Sequence, residues 1–173
     1  GENDNYICKL IRNDSIDEFV VYISKINYSF QSTICQSIYE TNSLLIKKQN
    51  ESNSDDNLTL IQYAAFFGSF QILKFLQMNK VNLTPKLLVF AVNGKNYTLI
   101  HHLEENVKIE NDNSNQRLEK NIYIECLKRS IRCHHNDILN YLINNYFQPE
   151  IIKSNIFLKQ CLKSYNFSFV QNE

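Results

Sequence analysis

The residues best equipped for chemistry fall in a few short groups. Cys133, His134 and His135 are adjacent, with Cys126 upstream, and thiolates with imidazoles are ligands of zinc. Geometry opposes that use. Cys126 and Cys133 stand about 10 Å apart along one helix, whereas zinc–sulfur bonds of about 2.3 Å draw all ligands round one point. Cys133 with a distant histidine would be a nucleophile–base pair, but nothing in the sequence places a base or an oxyanion hole beside it. His101-His102 lies inside a helical pattern, where neighbouring side chains diverge by about 100° and do not serve one atom. Glu104-Glu105 ends the same pattern and reads as solvated charge. Three glycines cannot build a phosphate-cradling loop as well as the turns. No catalytic residue, metal ligand or cofactor is therefore expected, and the chain reads as a non-enzyme.

Binding is the better use of the side chains present. Phe66-Phe67 is a pair of large rings in the stretch 59–83, TLIQYAAFFGSFQILKFLQMNKVNL. That stretch reads as two short helices and a tight turn. Thr59 suits a helix N-cap, because its hydroxyl can take an unpaired amide of the first turn. Ile61, Ala64, Ala65 and Gly68 then follow at helical spacing. Gly68 can take the left-handed conformation that ends a helix. Ile72, Leu73, Phe75 and Leu76 form the inner face of the second helix. Measured from Ile61, Phe66 falls at about 140° and Phe67 at about 240°. Those are flanks, so two readings stay open: rings packed between neighbouring units, or rings offered to a partner.

The pattern resembles an ankyrin repeat, T-P-L-H-x-A-A-x-x-G-x-x-x-x-V-x-x-L-L. Thr59, Ile61, Ala64, Ala65, Gly68, Ile72 and Leu76 fall on matching positions, with Leu60 for the Pro and Gln62 for the His. Ala64 with Ile72 serves as a ruler. Ala91 with Leu99, Ser130 with Ile138, Cys161 with Phe169, and Ile11 with Phe19 fit it. The anchors are 53, 27, 39 and 31 residues apart, around the roughly 33-residue ankyrin period. The resemblance puts His134-His135 where ankyrin repeats carry Gly-His between their helices. It also implies that the two residues after each anchor pair face a ligand groove: Phe66-Phe67, Asn93-Gly94, Arg132-Cys133 and Lys163-Ser164. The phrases ICKLIRND, SIYETN, IQYAAFFGSFQILKFL and CHHNDILNYL also resemble a domain of unknown function that accompanies ankyrin arrays in large protist protein families. An alternative solenoid of roughly 34-residue repeats lacks its Trp-Leu-Gly-Tyr pattern here.

The remaining chain is read as follows. Residues 1–5 are polar and expected to fray. Residues 7–26 predict two helices broken at Asn13-Asp14-Ser15, with Asp14 or Ser15 capping the second. Residues 34–48 carry Ile38, Leu45 and Ile46 and are read as helical. Residues 49–57 and 110–120 are polar and are read as solvated loops. Thr84-Pro85 reads as a helix start, with Thr at the cap and Pro first in the helix. Asn93-Gly94 is the next turn. Helices are expected over 96–106, 122–133 and 137–147, and 152–170 starts another pair.

Composition bounds the class. The 173 residues carry no net charge, so no basic field exists to hold nucleic acid or anionic lipid. No apolar run approaches the roughly 20 residues of a membrane span, and no signal peptide is visible. The five cysteines are an odd number at irregular spacing. Cys8, Cys35, Cys126 and Cys161 read as buried reduced thiols, which points to the cytoplasm. The sequon-like triplets at Asn57, Asn82 and Asn96 are read as chance in an Asn-rich chain, with Thr59 and Thr84 as caps.

The expected fold is an all-α, ankyrin-like helical solenoid. Residues 1–57 form its N-terminal capping unit and linker, and 58–173 its repeats, the last incomplete. The expected function is a protein–protein interaction scaffold that holds a partner along a concave face through Phe66, Phe67, Asn93 and Arg132. A self-associating structural module is the alternative.

Overall fold

The computed structural model describes residues 3–38, 40–46, 57–107 and 113–170. Among the described residues every secondary-structure element beyond a single bridge is helical. Among the described residues the α-helices are α1 (Tyr6–Arg12), α2 (Ile16–Ile26), α3 (Leu60–Phe67), α4 (Phe70–Met78), α5 (Leu87–Asn93), α6 (Tyr97–Asn106), α7 (Asn113–Arg132), α8 (Asn136–Tyr146) and α9 (Asn155–Lys163). Short 3-10 turns at Pro149–Lys153 and Phe167–Phe169 flank α9.

One turn recurs at the end of every odd-numbered helix. Asp14, Gly68, Lys95, His134 and Tyr165 each take a positive φ, between 49° and 73°. The amide after each of them bonds back across the helix end: Ser15 to Leu10 O, Ser69 to Ala64 O, Asn96 to Ala91 O, His135 to Ser130 O and Asn166 to Cys161 O, all at 2.9–3.3 Å. This is the Schellman bond, which satisfies an otherwise orphaned carbonyl. The anchors expected at Ala64, Ala91, Ser130 and Cys161 are these acceptors. In the first hairpin the equivalent residue is Leu10 rather than Ile11, because the left-handed residue there is Asp14. Gly94 is likewise not the left-handed residue of its turn; it lies at φ −79° and Lys95 follows it at 54°.

The odd helices pack in order, α1 on α3, α3 on α5, α5 on α7 and α7 on α9. Residues three and seven places before each left-handed position make these joints. Ile11 and Ile7, Ala65 and Ile61, Val92 and Leu88, Ile131 and Leu127 are all buried. The even helices touch through the side chain seven places after it: Phe75 against Phe19 at 6.2 Å, His102 against Phe70 at 5.2 Å, and Tyr141 against His101 at 5.2 Å.

Polar side chains fix the register of each joint. The residue just after the left-handed one reaches the preceding hairpin. The Ser69 hydroxyl donates to Ile11 O, His135 Nδ1–H to Val92 O at 3.0 Å, and Asn166 Nδ2–H to Ile131 O at 3.1 Å. Asn96 differs by bonding Gly68 O at 3.2 Å. Left-handed residues reach forward. The Asp14 carboxylate accepts the amides of Gln71 and Ile72, each at 3.0 Å. Asp14 therefore caps α4 of the next hairpin, and Ser15 makes no side-chain cap on α2. Lys95 Nζ meets Asp137 at 3.1 Å in the same way. These contacts work against the cost of about 1–2 kcal/mol for holding a non-glycine residue left-handed.

Several expected elements differ. Residues 34–46 are not helical where described. They run in turns and extended chain, with one bridge between Thr33 and Thr59. Ile38 is 89% exposed, whereas Ile34 and Leu45 are buried. Local bonds such as Leu44 N to Asn42 Oδ1 compete with helix there. Arg129 reaches Ser43 at 3.2 Å, which draws the segment over α5 and α7. That cover explains why α5 buries every residue from Leu87 to Val92, not one face. Of the polar stretch 110–120, residues from Asn113 onward belong to α7; 110–112 and 49–56 lie outside the described residues. Thr84-Pro85 forms a tight turn, with Leu87 N on Thr84 O at 3.0 Å, and α5 begins two residues later. Asn3 is buried, not frayed, and its side chain donates to Cys35 O at 2.8 Å.

Candidate functional site

The recurring turn places Arg12, Phe66, Asn93, Arg132 and Lys163 at one position, two places before the left-handed residue of successive hairpins. Phe66 and Phe67 are half-buried and rest on the main apolar core. Their rings meet edge-on at 4.9 Å, and Phe67 lies 4.6 Å from the Tyr63 ring. The Arg12 guanidinium sits 5.9 Å over Phe67 while donating to Tyr63 Oη at 2.8 Å and Asn3 O at 2.7 Å. Asn93 is half-buried, and its Oδ1 accepts from Cys133 Sγ at 3.4 Å. Arg132 is exposed. Behind this row α3 and α5 nearly touch: a Cβ on Gly94 would stand 2.0 Å from Phe66 O.

Arg12 is a member of the row that the sequence pattern missed. Anchoring the first hairpin on Ile11 placed its pair one residue late. The Asn13-Asp14-Ser15 break, set against Gly68-Ser69, carries the corrected register.

The histidines near the row are committed elsewhere, and the Cys133 thiol bonds Asn93 within it. His134 Nε2–H donates to Ser164 O at 3.0 Å, and His135 Nδ1–H points the opposite way, to Val92 O. Among the described residues no group of three or more His, Cys, Asp or Glu converges as a metal site. Burial raises the Cys133 thiol, which favours the protonated form over a nucleophilic thiolate. Cys8, Cys126 and Cys161 are buried free thiols; Cys35 is exposed, contrary to expectation. Burial raises Cys8 to about 11.

Glu104 is not a solvated charge. Its side chain is 12% exposed and accepts Tyr141 Oη–H at 2.7 Å and His101 Nδ1 at 3.2 Å. Tyr123 and Tyr146 stack beside it at 3.8 Å. Burial first, then the bond to Glu104, pushes Tyr141 up to about 12. This cluster joins α6, α7 and α8. His102 similarly bonds Gln77 Oε1 at 2.8 Å.

The junction between Lys95 and Asp137 has a pH signature. The Tyr97 hydroxyl, then Lys95, lowers Asp137 from about 3.8 to about 2. A depressed carboxylate stabilises the fold above its unfolded pKa and loses that contribution as pH falls through the folded one. The thermal midpoint of Asp137→Asn is therefore expected below wild type above pH 4. The gap should close as pH falls from about 4 to about 2. A gap that stays constant across that window would show that Asp137 acts without its charge.

A cleft of about 420 Å³ lies where segment 33–46 crosses α3, α5 and α7, between Cys35, Tyr63, Lys86, Phe90 and Arg129. Comparison with family models, with curated proteins and with solved structures finds no match for this chain. No helix of the described residues is long and apolar enough to cross a membrane.

Proposed function

We propose that the chain is a non-catalytic protein-binding scaffold, an ankyrin-like solenoid of irregular helix pairs that holds a partner segment along its row of turn ends. Phe66, Phe67, Asn93 and Arg132 are the contacts, with Arg12 as the support under Phe67. One observation carries this reading: five turns of one geometry set Arg12, Phe66, Asn93, Arg132 and Lys163 in register on hairpins that pack in order. Half-buried aromatic rings beside arginine are the composition of interface hot spots. The buried free thiols Cys8, Cys126 and Cys161 fit a reducing compartment such as the cytoplasm.

Affinity capture from cytosol with quantitative mass spectrometry tests it. The wild type is compared with Phe66→Ala/Arg132→Glu, and circular dichroism confirms that each is folded. A partner retained by wild type should bind the double variant at least roughly tenfold more weakly, as loss of hot-spot side chains implies. A folded double variant that keeps every wild-type partner would sink the assignment of this row.

A further inference from the structure

The position two places before each left-handed residue has a companion six places before it, one helical turn back on the same face of the odd-numbered helix. The companions, from α1 to α9, are Cys8, Gln62, Val89, Lys128 and Lys159. The face therefore changes character along the molecule. On α3 and α5 it holds Phe66 with Gln62, then Asn93 with Val89, and carries no charge. On α7 and α9 it holds Arg132 with Lys128, then Lys163 with Lys159. Arg132, Lys159 and Lys163 are exposed, and Lys128 is half-buried. None of these four makes an ion pair among the described residues.

The zero net charge of the chain hides a segregation. Among the described side chains of the odd-numbered helices the one acid is Glu125, and it pairs with Arg129 at 3.4 Å. The acids lie instead on the even-numbered helices, as Asp17, Glu18, Glu104, Glu105 and Asp137, against Lys25 and Lys74. Like charges one turn apart on a helix repel. Two such pairs, on α7 and α9 packed side by side, make a local positive potential that draws carboxylates and is relieved by them.

We infer that the row takes an extended acidic protein segment, with an apolar side chain on Phe66-Phe67 and carboxylates on Lys128, Arg132, Lys159 and Lys163. This rests on the binding row proposed above and adds the chemistry and span of its occupant. Packed helices stand about 8–10 Å apart, and an extended chain advances about 3.3 Å per residue. Two joints separate α3 from α7, and a third leads to α9. The carboxylates therefore fall roughly five to nine residues along the segment from its apolar anchor. The uncharged aromatic end and the cationic end together fix which part of the segment meets α3.

Selection from a phage-displayed library of random peptides of about 16 residues, long enough to span α3 to α9, tests it. Peptides retained by the wild type should carry an apolar side chain with Asp or Glu roughly five to nine residues from it. Their affinity is then read by fluorescence anisotropy of the synthetic peptides. It should fall at least roughly tenfold in Lys159→Glu/Lys163→Glu, and by less in Lys159→Gln/Lys163→Gln. Both pairs of changes are at exposed sites, and circular dichroism confirms that each variant is folded. Added salt should weaken binding to the wild type more than to the charge-reversed variant. Selected peptides that lack acidic residues and are lost on Phe66→Ala would leave the row standing and overturn the acidic segment. A selection that enriches nothing overturns both. A single-stranded oligonucleotide that binds as tightly as the selected peptides would mark a general polyanion surface and overturn the assignment to a protein segment.

Discussion

Gly94→Ala is expected to destabilise the protein by about 3 kcal/mol or more, at the upper end of the cost of overpacking. The reason is not backbone freedom. Gly94 sits at φ −79°, where alanine is comfortable. The new methyl would stand 2.0 Å from Phe66 O and 3.0 Å from Phe66 C. Both are backbone atoms, so no rotamer change relieves the contact. Separating α3 from α5 would disturb the joint through which Ala65, Ile61, Val92 and Leu88 are buried. Gly68→Ala provides the contrast. There the strain is the φ of 73° plus the Asn96 side-chain amide, 2.5 Å from the new Cβ, which would have to loosen its bond to Gly68 O. That change should cost nearer the 1–2 kcal/mol of a left-handed alanine. Urea unfolding followed by circular dichroism reads both. Equal losses would mean that α3 and α5 part easily, and the close-approach argument would fail.

Phe19→Ala should cost about 3–5 kcal/mol, the range for deleting a buried aromatic ring. Phe19 is fully buried and meets Phe75 edge-on at 6.2 Å. No water or side chain can refill the space without moving α2 or α4. Phe66→Ala removes the same atoms from a half-buried site and should cost clearly less. The pair of measurements separates a ring that holds two hairpins together from a ring free to meet a partner. If Phe66→Ala is as damaging as Phe19→Ala, Phe66 is core and the proposed row loses its centre.

The helix pairs were legible because their code is local. Helical spacing at Ile61, Ala64 and Ala65, the Thr59 cap and the breaks near Gly68, Gly94 and His134 all act within a few residues. The Thr59–Gln62 capping box is present in full. The same pattern aligned Phe66, Asn93 and Arg132 by turn position. It misread 34–48 where described: Ile38, Leu45 and Ile46 gave a weak helical period, but Leu45 is buried and Ile38 exposed, because the segment runs in turns and extended chain across α3, α5 and α7.

Local pattern thus set the all-α class, most of the helix ends and the order of the hairpins. Tertiary structure decided what the polar residues do. Asp14 read as a cap for its own helix and caps α4 instead. His134 and His135 read as neighbours and serve hairpins on opposite sides. Glu104 read as solvated and lies among tyrosines. In each case the partner is some 30 to 60 residues away in sequence, and such pairings follow from packing rather than from the few residues that shape a turn.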